Sequence, residues 1–149
     1  TKIVYHIALL SITVSSTLLI NSIGKISANT DDFDIDNYRG VIVDDYYQAY
    51  KKMIEEAHAK GIKVYGGTIT PFKGNNYYTE DHEKARNKVN TWIRTSGAFD
   101  AVIDFDKIMR DPADTEALQS KFLYENAWLH PNAEGYKTMG SSVDLKLFE

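Results

Sequence analysis

Cysteine is absent from the 149 residues, which excludes disulfides, thiolate zinc sites and a cysteine nucleophile. A dominant charge sign is missing as well. Seventeen basic residues stand against 21 acidic ones for a net charge of −4, and the signs are mixed, so no basic stripe marks a nucleic-acid surface. Asp31, Asp32, Asp34 and Asp36 lack the glycine and the terminal glutamate of an EF-hand loop, so they read as a solvated acidic loop and not as a calcium site. His58 and His82 have no partner at metal-ligand spacing. No internal repeat and no low-complexity run interrupts the chain.

What is present suits a folded domain. Hydrophobic residues make up 43% and charged residues 26%, an ordinary balance for a globular protein, and the length fits one unit with a real core. Ile3 to Ile20 is apolar or hydroxylated apart from His6 and follows a single basic residue, Lys2. Three readings of it stay open. As an export signal it ends near the small residues Ser27 and Ala28, and the protein is secreted. As buried strands of a parallel sheet it owes its β-branched content to the core, and a cytoplasmic location follows. As a single spanning helix it is only just long enough for a bilayer, and the chain then has a membrane partner. The chain divides accordingly into an apolar segment, 1–28, and a body, 29–149.

Within the body, Asn29 to Asn37 reads as an acidic loop, and Asp44 or Asp45 supplies a helix N-cap. The helix that follows carries Tyr47, Tyr50, Met53, Ile54 and Ala57 at three- and four-residue steps, and Gly61 sits where a C-cap glycine belongs. Ile62 to Thr70 reads as a buried strand ending at Pro71. This helix, glycine, strand order is the unit of an open parallel α/β sheet. After a loop from Pro71 to Tyr78, Thr79 caps a second helix with Ala85, Val89, Trp92 and Ile93 on one face, and its acidic start suits the helix dipole. Gly97 ends it. Phe99 to Phe105 is a second strand, an irregular region holds one helical turn around Thr115 to Leu118, and Asn132 caps a closing helix through Tyr136 and Met139.

The segment Trp128-Leu129-His130-Pro131-Asn132-Ala133-Glu134-Gly135-Tyr136 places a histidine in a short loop before a helix start. Loops at strand ends of α/β folds collect catalytic groups, and an imidazole with a near-neutral pKa suits general-base work. From spacing alone, a surface histidine without a task is an equally open reading. Leu129-His130-Pro131-Asn132 with Gly135-Tyr136 resembles the last motif block of the SGNH (GDSL-type) ester hydrolases. Ala57 to Phe72, Asn90 to Arg94 and Phe99 to Phe105 are similar to upstream segments of its bacterial GDSL esterase branch. The resemblance runs in order, with family-like spacing, from Asp44 to Glu149.

The resemblance implies a three-layer, flavodoxin-like α/β fold and a serine esterase needing no cofactor and no metal. In such an enzyme a histidine deprotonates the serine, an acid orients the histidine, and glycine and asparagine donors hold the oxyanion. His130 carries over as the base. The acid position, three residues before it, is occupied by Ala127, and Glu125 is the nearest carboxylate in sequence. Asn21, in Ile20-Asn21-Ser22-Ile23-Gly24, is the oxyanion candidate, because this run is a degraded likeness of the family's Gly-x-Asn-Asp block. No Gly-Asp-Ser occurs anywhere, and no Gly-x-Ser-x-Gly elbow either. The resemblance therefore implies an N-terminally truncated hydrolase, inactive alone, whose family acts on carboxylic esters, acetylated carbohydrate first and lipid second. The alternative is a non-catalytic SGNH-like domain, or incomplete gene product, that binds a carbohydrate or protein partner.

Overall fold

A glycine in left-handed conformation stops the first helix and turns the chain into the sheet. In the computed structural model, which describes residues 6–10, 35–125 and 127–149, Gly61 has φ +71°. Its amide donates to the His58 carbonyl at 2.9 Å, and the Ile62 amide donates to the Ala57 carbonyl at 3.0 Å. Together these bonds form the Schellman arrangement. The helix it closes, α1, spans Ile35–Ala59, and the strand it opens, β2, spans Lys63–Gly67. A first strand, β1, covers His6–Leu10. Then follow α2 (Glu80–Thr95), β3 (Ala101–Ile103), a short α3 (Phe105–Met109), a 3-10 turn at Ser120–Phe122, α4 (Ala133–Ser141) and a closing 3-10 turn at Leu145–Phe148.

The strands among the described residues form one parallel sheet in the order β1-β2-β3. His6 pairs with Lys63 and Leu10 with Gly66 on one side of β2, while Tyr65 pairs with Ala101 and Gly67 with Ile103 on the other. Parallel neighbours need a crossover, and α2 supplies it between β2 and β3. The architecture is α/β. Successive residues of β2 serve opposite faces. A Cβ on Gly66 would lie 2.9 Å from Phe99 and 3.0 Å from Ile93, so those side chains rest directly on the strand. On that side Trp92 stacks on Tyr47 at 5.0 Å between ring centroids and meets Phe99 edge-on at 5.3 Å, which joins α1 to α2. Opposite, Tyr65 clusters with Ile103 and Phe105 under Met139, Val143 and Leu147. The Tyr65 hydroxyl donates to the Leu147 carbonyl.

Several expectations are corrected. α1 starts at Ile35, not at Asp44 or Asp45, so Ile35, Asp36 and Asn37 of the expected acidic loop are helical. Ile35, Tyr38 and Ile42 continue the helical period upstream. A cap preference worth about 1 kcal/mol does not outweigh propagation, which adds one hydrogen bond per residue. Met53, assigned to the inner face, is 49% exposed, whereas Ile54 is 4% exposed. The strands are shorter than Ile62–Thr70 and Phe99–Phe105, because side chains take over the backbone groups at their ends. Asn90 bonds both backbone groups of Ile69, and Asp104 caps α3 through the Lys107 amide. The region around Thr115 to Leu118 is a turn and a bridge, not a helical turn. Asn21, Ser27, Ala28, and Asp31, Asp32 and Asp34 lie outside the described residues, as does Ile3 to Ile20 except for β1. No helix among the described residues is long and apolar enough to cross a membrane.

Candidate functional site

Beyond the C-terminal ends of β2 and β3, where ligands of open α/β sheets bind, the structure assembles a stack of polar interactions that ends at His130. Its base is a buried charge network. Asp106, 1% exposed, accepts from Arg86 at 2.6 Å, from Arg94 at 2.5 Å and from Arg110 at 3.4 Å. Arg86, itself buried, forks onto Glu83 at 2.5 and 2.8 Å and donates to the Ile69 and Thr115 carbonyls. The Asp106 amide donates to the Thr68 hydroxyl, which donates in turn to Asp104. Arg94 grips Asp104 with two bonds of 2.6 and 2.8 Å. Buried charges persist only when paired and hydrogen-bonded. Here each one is.

The electrostatics follow from that pairing. Burial pushes the Asp104 carboxyl up, but the Arg94 guanidinium, the Lys107 amide and the Thr68 hydroxyl outweigh it and hold it down at about 2. Hydrogen bonding to Asp104 raises Arg94 against the desolvation that opposes it. Burial would lower Arg86, and the Glu83 and Asp106 carboxylates raise it. All these groups keep their charges at neutral pH, and their polar atoms are committed to one another. The network is therefore a foundation and not an acid–base pair. The sequence signal for it was the face Glu83, Arg86, Asn90 at helical steps beside Val89 and Ile93, three polar residues where an inner face runs.

The foundation fixes the segment after β2. With Ile69 held by Asn90 at 2.7 and 2.9 Å and Phe72 3% exposed, the loop 73–78 projects outward. The Lys73 amide donates to the Glu116 carbonyl at 3.0 Å. The Lys73 ammonium reaches Asp114 at 2.8 Å and Glu116 at 3.2 Å, and Tyr78 donates to Glu116 at 2.5 Å. At the tip, Gly74 has φ +96°, and a Cβ there would fall 2.6 Å from the Trp128 indole. Asn75 donates from Nδ2 to the Ala127 carbonyl at 2.7 Å while its Oδ1 accepts from the Tyr77 amide at 3.0 Å.

From the other side the histidine loop is held by the residues that follow it. Pro131 is buried and bridges Leu123. A Cβ on Gly135 would stand 2.6 Å from Pro131 and 3.2 Å from Phe122, so only glycine lets the helix approach so closely. Asn132 caps α4 through the Gly135 amide at 2.9 Å. Its Nδ2 donates to the Lys121 and Leu123 carbonyls, and its amide donates to the Phe122 carbonyl at 2.7 Å.

His130 itself is exposed. Its carbonyl accepts from the Tyr124 amide at 3.4 Å, and among the described residues its imidazole has no hydrogen-bond partner. Ala127 stands three residues before it and offers only its backbone. The amide donates to the Tyr124 carbonyl at 3.0 Å, and the carbonyl is taken by Asn75. Glu125 is exposed and forms no bond to His130. Both Glu125 and Trp128 lie in left-handed backbone, at φ 50° and 49°, each a strain of about 1–3 kcal/mol that neighbouring contacts must sustain. The other histidines are elsewhere: His58 pairs with Asp100 at 2.9 Å, and His82 bonds the Tyr77 carbonyl at 2.6 Å. Among the described residues no group of three His, Asp or Glu side chains is placed to hold a metal. Asn21 lies outside the described residues, so the structure does not place it relative to His130.

No curated protein matches the chain. The model of the GDSL-like lipase/acylhydrolase family matches residues 27–138, a span that contains the network, both loops, His130 and the cap of α4, and the chain belongs to that family.

Proposed function

We propose that this chain carries the histidine side of a GDSL-type serine ester hydrolase site on an SGNH-type, three-layer scaffold, and that it has no esterase activity as it stands. The substrate class is a carboxylic ester, acetylated carbohydrate before lipid. In the family reaction a serine hydroxyl attacks the ester carbonyl, and the histidine takes its proton and passes it to the departing alcohol. Water then releases the acid from the acyl-enzyme. His130 takes the histidine's part in this reading.

The observation that carries the proposal is Ala127. At the position from which a carboxylate would hold the imidazole there is only a methyl group, the backbone is committed to Asn75 and Tyr124, and Glu125 makes no bond to His130. Loss of the orienting acid costs about four orders of magnitude in a serine hydrolase triad, and the sequence also lacks the Gly-Asp-Ser block. Hydrolysis of p-nitrophenyl acetate by the chain is expected to match that of a His130→Ala variant. A faster rate that a serine-directed phosphonate abolishes would overturn the proposal. The same alanine favours a second reading, a scaffold that binds a carbohydrate or protein partner without turning it over.

A further inference from the structure

We infer that Asn75, with Gly74 beside it, is the positioning residue of the His130 loop, doing through the backbone what residue 127 does not do through a side chain. The inference rests on the reading of His130 given above, and its test does not use ester hydrolysis. Three observations converge on it.

First, the contact between the loops is specific and reaches across the sequence. Asn75 Nδ2 donates to the Ala127 carbonyl at 2.7 Å across 52 positions, and the Asn75 amide group cannot swing away, because its Oδ1 is engaged by the Tyr77 amide. Second, the Trp128 indole lies so close over Gly74 that a Cβ would sit 2.6 Å from it, and φ +96° at Gly74 would strain any other residue. Third, the loop under this latch is strained. Trp128 holds φ 49°, a conformation in which a bulky residue is an outlier, and His130 follows two residues later. Strain of that kind persists only where the surroundings over-determine it, and the contacts described for residues 127 and 128 come from residues 74, 75 and 124. The downstream anchor, Pro131 and Asn132, fixes where the loop ends. The latch fixes how the chain arrives there.

The two bonds of Asn75 separate in one substitution. Asn75→Asp keeps the acceptor for the Tyr77 amide and removes the donor to Ala127. The measurement is nuclear magnetic resonance of the full chain at neutral pH, following amide exchange along the chain, the Trp128 indole proton and the ring protons of His130. In Asn75→Asp, exchange at Ala127 and Tyr124 is expected to rise roughly five- to tenfold, the equivalent of one lost hydrogen bond. The Trp128 and His130 ring signals are expected to shift, with exchange at Val89 and Ile93 unchanged. Gly74→Ala is expected to displace the same signals by steric means. Unchanged ring signals in a folded Asn75→Asp chain would overturn the inference. So would faster exchange spread evenly over α2, since that would make Asn75 a general stabiliser. Esterase activity in the parent chain would defeat the functional reading and leave this result standing.

Discussion

Replacing Asp106 with alanine tests the claim that the network under the site is structural. Its carboxylate receives three guanidinium groups, and their fates after its removal differ. Arg94, 29% exposed, and Arg110, 37% exposed, turn to water, and Arg94 also keeps Asp104. Arg86, 3% exposed, has no such route and is left with Glu83 as its one carboxylate. Breaking a buried pair costs about 3–5 kcal/mol, and the surviving Glu83 bond puts this case at the lower end, about 3 kcal/mol. For a chain of this size that lowers the melting temperature by roughly 6–12 °C and the urea midpoint by roughly 1–3 M at unchanged slope. Asp106→Asn, which keeps the volume and one acceptor, is expected to lose about half as much. Circular dichroism in urea measures both. A midpoint for Asp106→Ala equal to that of the parent would refute the reasoning, because it would mean Arg86 finds water or a new partner.

The stability has an acid limb whose sign follows from Asp104. Its carboxyl is lowered from 3.8 unfolded to about 2 folded, so the folded state gains stability above about pH 4 and loses it as pH falls toward about 2. The loss is on the order of 2 kcal/mol. Urea midpoints across that window should fall in the parent and fall less in Asp104→Asn. Gly66→Ala places a methyl against Phe99 and Ile93 at 2.9 and 3.0 Å and is expected to cost about 1–3 kcal/mol by overpacking, read from the same urea curves. Asn132→Ala removes one cap and two carbonyl bonds. A cost of about 2 kcal/mol should come with faster amide exchange at Gly135.

The family could be read from the chain because its evidence is local. Leu129 to Gly135 is a contiguous motif, and the structure supplies a reason for each kept residue: Pro131 is buried, Asn132 caps and ties, and Gly135 admits the close approach. The same holds for α2, where Thr79 accepts from the His82 amide, and for Gly61, whose left-handed turn ends a helix. Propensity, caps and turns act over a few residues, so a single sequence states them. Where α1 begins was misread for the same reason, since Asp44 looks like a cap only if the weaker upstream period is ignored.

Tertiary structure alone decided what lies beneath and beside His130. Glu83 looked like dipole complement at a helix start, yet it is 4% exposed and forks onto Arg86. Asp106 and Arg94, twelve residues apart, meet only because the turn after β3 folds back onto α2. Asn75 and Ala127 are separated by 52 positions and joined by one bond. Motif and periodicity carry the identity of a loop and the hydrophobic face of a helix. The partner of a buried charge or of a loop carbonyl depends on which distant segment chain folding brings within 3 Å, and no local pattern encodes that distance.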